Sequence, residues 1–100
     1  MTMTTSKLES VITRQVKGWL KNHPDIWHMK VLGSGVQVKG VPDFLICKNG
    51  KFVGIELKRP DGKGIVSEVQ KAQIDRIRKA GGVAEVIDNF NDFLALMESL

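Results

Sequence analysis

The chain has 100 residues, of which 42% are apolar and 26% charged, enough for one packed domain over residues 1–100 and no second core. No apolar run approaches the roughly 18 residues of a membrane span, and the opening MTMTTSKLES has no secretory h-region, so a cytoplasmic setting and no membrane partner are expected. The single cysteine, Cys47, excludes an intrachain disulfide framework and a cysteine-based zinc site, and the net charge of +4 is uneven: residues 85–100 hold four acids and no Lys or Arg, leaving +8 on residues 1–84 and pointing to a polyanionic partner, nucleic acid first.

Ser6-Lys7-Leu8-Glu9 has the capping-box pattern and opens a helix whose apolar stripe is Leu8, Ile12, Val16 and Trp19-Leu20. Asn22-His23-Pro24 ends it. Ile26 to Leu32 alternates as a strand, with Trp27, Met29 and Val31 on one face and His28 and Lys30 on the other; Trp19 and Trp27 are expected in the core. After Gly33-Ser34-Gly35 and a short extended stretch, Pro42 precedes a second strand, Asp43–Cys47, with Cys47 expected as a small buried hydrophobe. Asn49-Gly50 signals a tight hairpin turn, and Phe52–Lys58 returns as the third strand. Ser67 caps a helix running to about Lys79, Gly81-Gly82 stop it, and Val83–Ile87 is a fourth strand. Asn89 begins a last helix with the apolar stripe Phe93, Leu94, Met97 and Leu100. The order α-β-β-β-α-β-α, with a helical crossover after a hairpin, makes this an α/β fold with a mixed sheet flanked by helices.

The hairpin carries the chemistry. Glu56 and Lys58 stand two apart on one strand and so share a face, while Val53, Ile55 and Leu57 face the core. The turn brings Asp43, at the start of the partner strand, back beside Glu56 and Lys58. Two carboxylates at close range call for a cation between them, and a hard divalent ion such as Mg²⁺ or Mn²⁺ takes such oxygens, with the Leu57 carbonyl as a further donor. Such an ion polarises a phosphodiester and lowers the pKa of a bound water, and Lys58 is placed to orient that water or neutralise developing charge. No small-molecule cofactor is implied.

Pro42-Asp43 followed by Glu56-Leu57-Lys58 resembles the PD-(D/E)XK nuclease superfamily. Glu56-Leu57-Lys58-Arg59-Pro60-Asp61-Gly62-Lys63, Ser67-x-x-Gln70 and Ala80-Gly81-Gly82 before an apolar strand resemble more closely its virus-type replication-repair (VRR-NUC) members in their short stand-alone form, over about Glu9 to Ile87. The resemblance implies a restriction-endonuclease-like α-β-β-β-α-β core. It also implies Asp43 and Glu56 as metal ligands with the Leu57 carbonyl, Lys58 as the catalytic lysine, Gln70 as an accessory polar residue and Glu9 as a supporting acid. Gln70 and Glu9 each have a second reading as the last member of a capping box. Ile74 stands where relatives often carry an aromatic. Lys30, Lys39, Arg59, Lys63 and Lys71, with the loop around Ser34, are candidate contacts to the DNA backbone. His23 and His28 lack partners at ligand spacing. The expected activity is that of a structure-specific endodeoxyribonuclease on branched or double-stranded DNA, a homodimeric Holliday junction resolvase paired through the C-terminal stripe or the first helix. Flap or nick cleavage, or a binding module without catalysis, stay open.

Overall fold

The strand Lys51–Leu57 organises the molecule: it pairs with a neighbour on each edge, and helices pack on both of its faces. The computed structural model describes residues 5–32 and 38–100, with backbone alone for 5–8. In chain order the elements are α1 (Thr5–Lys21), β1 (Trp27–Lys30), β2 (Phe44–Lys48), β3 (Lys51–Leu57), α2 (Glu68–Lys79), β4 (Val83–Ile87) and α3 (Phe90–Glu98). The sheet order is β1-β2-β3-β4; β1 and β3 run antiparallel to β2, and β4 runs parallel to β3 after the crossover through α2. Ser34 lies outside the described residues. Among those described, no helix is long and apolar enough to cross a membrane.

The hairpin forms as its turn residues require. Asn49 and Gly50 both take positive φ, 52° and 77°, the pair of left-handed conformations whose twist matches that of the flanking strands. The turn sets Phe44 opposite Ile55 and Ile46 opposite Val53, all four on the face buried by α1 and α3. There they meet Ile12, Val16 and Leu20 of α1, Phe93 and Met97 of α3, and Leu57 and Ile87. Full burial of each such side chain contributes about 1.5–3 kcal/mol.

The opposite face carries Gly54 and Glu56 and receives α2. A methyl group on Gly54 would stand 3.0 Å from Pro42 and 3.1 Å from Ile77, so the bare glycine lets α2 settle close to β3. Ser67 caps α2, and Gly81, at φ +95°, follows its end.

Several expectations are corrected. Trp27 is 56% exposed, and Cys47, opposite it in the ladder, is exposed too, because α2 covers the β3–β4 side of its face and leaves the β1–β2 end open. Trp19 does pack against the core. Ser6 falls inside α1 rather than at its N-cap. The Phe93–Met97 stripe is spent on the chain's own core, with Leu94 and Leu100 packed at its margin, so it is no free interface for a second copy. His23 closes α1: its Nδ1 pairs with the Trp19 carbonyl at 2.7 Å and its ring stacks on Trp19.

Candidate active site

Asp43 enters the site from a segment with little freedom. Gly40 has φ +80°, and a Cβ there would lie 2.5 Å from the Val69 carbonyl oxygen, so only glycine lets this loop cross the first turn of α2. Pro42 is fully buried next to Gly54. The Asp43 carbonyl accepts from Val31 N at 2.8 Å, which extends the β1–β2 ladder by one step. Its side chain then takes over from the backbone: Oδ2 accepts from Leu57 N at 2.8 Å. In a strand the N–H and C=O of one residue face the same neighbour, so the Leu57 carbonyl is on the Asp43 side, while Lys58 N is held by Ile87 O on the other.

Glu56 is 3% exposed, the sole buried charged residue among those described. Its Oε2 accepts from Gln70 Nε2 at 2.7 Å and lies 3.5 Å from Lys58 Nζ. Lys58 Nζ in turn donates to Gln70 Oε1 at 3.1 Å. Burial, and then repulsion from Asp43, pushes the Glu56 carboxyl up to about 7 against the opposing pull of Lys58. Ser67 N donates to the same Gln70 Oε1 at 2.9 Å, and Gln70 N returns a bond to Ser67 Oγ, so the capping box is complete. One amide thus completes the cap of α2 and also ties Glu56 to Lys58.

The donor set suits a hard divalent cation. Asp43 adds to the cost of ionising Glu56, and among the described residues no hydrogen bond occupies Asp43 Oδ1 or Glu56 Oε1. No group of three or more His, Cys, Asp or Glu is gathered as a complete cage among those residues. Two carboxylates would leave room for the waters and substrate oxygens that Mg²⁺ keeps.

Two clefts meet at Asp43. One, of about 520 Å³, is walled by Glu9, Ser10, Thr13, Arg14 and Lys17 of α1 together with Lys30, Asp43 and Leu57. The other, of about 560 Å³, runs past Lys30, Leu32, Val38, Lys39, Gly40, Asp43, Glu56 and Gln70. Glu9 thus shares a cleft with Asp43 without joining the Glu56–Gln70–Lys58 network. Lys30 and Lys39 line the clefts as expected. Arg59, Lys63 and Lys71 line neither: Arg59 is paired with Asp61 at 2.6 Å, Lys71 with Glu68 at 3.3 Å, and Lys63 N is bound by Asp61 in the intervening turn. Sequence reasoning passed over Ser10, Thr13, Arg14 and Lys17, although the polar face opposite the Ile12–Val16–Leu20 stripe was the signal for them.

No protein-family model and no curated protein matches this chain. Among solved structures it shares its fold with one described as a VRR_NUC domain protein, at a TM-score of 0.75 and 21% identity, with 99% of this chain and 89% of that one covered. The architecture implied by the Pro42-Asp43…Glu56-Leu57-Lys58 resemblance is therefore the architecture present.

Proposed function

We propose that this chain, residues 1–100 as one domain, is a VRR-NUC nuclease of the PD-(D/E)XK type, hydrolysing DNA phosphodiester bonds with Mg²⁺ or Mn²⁺. The observation that carries the reading is the Glu56–Gln70–Lys58 network, with Asp43 bonded to the intervening Leu57 N. Asp43, Glu56 and Gln70 line one cleft, and behind them the Lys58 amine is held by Gln70 and Glu56. Asp43 and Glu56, with the Leu57 carbonyl, would hold the ion, and Glu9, on the wall of the same cleft as Asp43, would support the site. The bound ion would polarise the scissile phosphate and lower the pKa of the attacking water. Lys58 orients that water and offsets charge growing on the phosphoryl oxygens. Gln70 keeps Glu56 and Lys58 in register, so neither amine nor carboxylate must reorganise as charge develops.

The preferred substrate is branched DNA, and the acting species a homodimer making paired cuts in a four-way junction, in the cytoplasm. The basic charge of residues 1–84 favours contact with the DNA backbone, and so recognition of DNA shape. The test is incubation of labelled four-way junction, flap, nicked and linear duplex DNA, with and without Mg²⁺ or Mn²⁺. Metal-dependent, paired cuts in the junction are the expected result. Cuts in flap or nicked DNA alone would replace the resolvase reading, and binding without cleavage in either metal would reduce the chain to a nucleic-acid-binding module.

A further inference from the structure

We propose that the polar face of α1 is a phosphate track, with Arg14 and Lys17 each holding a backbone phosphate of the DNA strand that passes Asp43. Arg14 and Lys17 wall the same cleft as Asp43 and Leu57, and both are exposed. Neither makes an ion pair among the described residues. By contrast, four cations of the second half of the chain, Arg59, Lys71, Arg78 and Lys79, are each neutralised by an acid at 2.6–3.3 Å.

Spacing supplies the second argument. Ser10, Arg14 and Lys17 stand at i, i+4 and i+7, one face of the helix, and span about 10 Å of its axis. That is about three nucleotides of one strand at roughly 3.4 Å each. Lys30 stands where the two clefts join, beside Asp43 Oδ1 at 4.0 Å, so the cations lead from α1 to the carboxylates. On the far side of Asp43 the wall is different, with Lys39 the added cation beside Val31, Leu32, Val38 and Val41. The strand is therefore gripped by its charge on the α1 side of the cut.

This rests on the nucleic-acid reading of the site, and the experiment separates the two. DNA binding is measured in EDTA, where no cutting occurs, over a series of salt concentrations. The proteins compared are the wild type, Arg14→Gln/Lys17→Gln, and an equally charged control, Lys51→Gln/Lys79→Gln, at the opposite end of the sheet. All four side chains are exposed, and thermal melts confirm that each variant is folded. The track variant is expected to lose tenfold or more in affinity, and the slope of log K against log salt to fall by about 2. The control keeps the wild-type slope. A track variant indistinguishable from the control overturns the proposal. A wild type that binds DNA but never cuts it with metal overturns the hydrolytic reading alone, leaving the track decided by the slopes; a wild type that binds no DNA overturns both.

Discussion

Gln70 donates to Glu56 across the gap between α2 and β3, Nε2 to Oε2 at 2.7 Å, while its other amide atom closes the cap of its own helix. One side chain thus couples the start of α2 to the buried carboxylate. Gln70→Ala removes both jobs. It is expected to lower stability by about 1 kcal/mol, the worth of a cap, and the cleavage rate by about 10–100-fold, as for groups that orient metal ligands. Ser67→Ala removes only the cap. It should show a similar loss, read as a fall of about 4–8 °C in Tm, yet keep most of its rate. Equal rate losses in the two variants would show that Gln70 acts through the helix alone.

Glu56 makes stability depend on pH. Its folded-state value of about 7 lies above the ordinary 4.5, so the folded protein holds the proton more tightly than the unfolded chain. The contribution is complete below about pH 4.5 and is lost as pH rises through about 7, a total of about 3 kcal/mol. Metal-free protein is therefore expected to denature at lower urea at pH 8 than at pH 5. Glu56→Gln should flatten that slope and be the more stable protein at pH 8. Mg²⁺ or Mn²⁺ at millimolar concentration should also flatten it, because a bound cation favours the ionised carboxylate; chelation with EDTA should restore it.

Asp43 and Lys58 separate chemistry from binding. Asp43→Asn keeps an oxygen for Leu57 N but loses the charge, and Lys58→Ala loses the amine that Gln70 and Glu56 position. Each is expected to lower cleavage by at least about 100-fold while retaining most of its affinity for junction DNA, measured by cleavage and gel-shift on the same preparations. Loss of binding and folding together would assign these residues to structure.

The register that joins Asp43 to Glu56 was legible because Asn49-Gly50 leaves a two-residue turn little choice, and a fixed turn sets every pair up the ladder. The cap at Ser67 and the end of α2 at Gly81 were equally local. What alternation cannot tell is which face of a sheet is covered. Trp27 and Cys47 share a face with Gly54 and Glu56, but α2 reaches only the latter pair. Gln70 looked like a choice between cap and site because an i, i+3 spacing serves both. The amide has a donor end and an acceptor end, and the fold uses each. Arg14 and Lys17 drew no reading from the sequence, because only the packing of α1 beside the sheet puts them on the wall of the cleft that Asp43 lines.

Two glycines near the site should fail in different ways. At Gly40 an added Cβ meets the Val69 backbone at 2.5–2.6 Å, in a left-handed conformation that already disfavours alanine by about 1–2 kcal/mol. Backbone cannot yield there, so Gly40→Ala is expected to lose at least about 2 kcal/mol of stability and shift Asp43 with it. At Gly64 the added Cβ meets Lys58 Cβ and Cδ at 3.0 and 3.1 Å and Arg59 N at 3.1 Å. Only Lys58 Cδ can swing aside; Lys58 Cβ and Arg59 N must shift with the backbone by a few tenths of an ångström, so Gly64→Ala should lose less stability than Gly40→Ala while moving the Lys58 stem. The displaced amine no longer sits at 3.1 Å from Gln70 Oε1, and kcat should fall about tenfold or more with DNA affinity unchanged. Chemical denaturation and single-turnover cleavage on both variants check the contrast; a Gly64→Ala protein at full rate would mean that the 59–66 loop does not hold Lys58 in place.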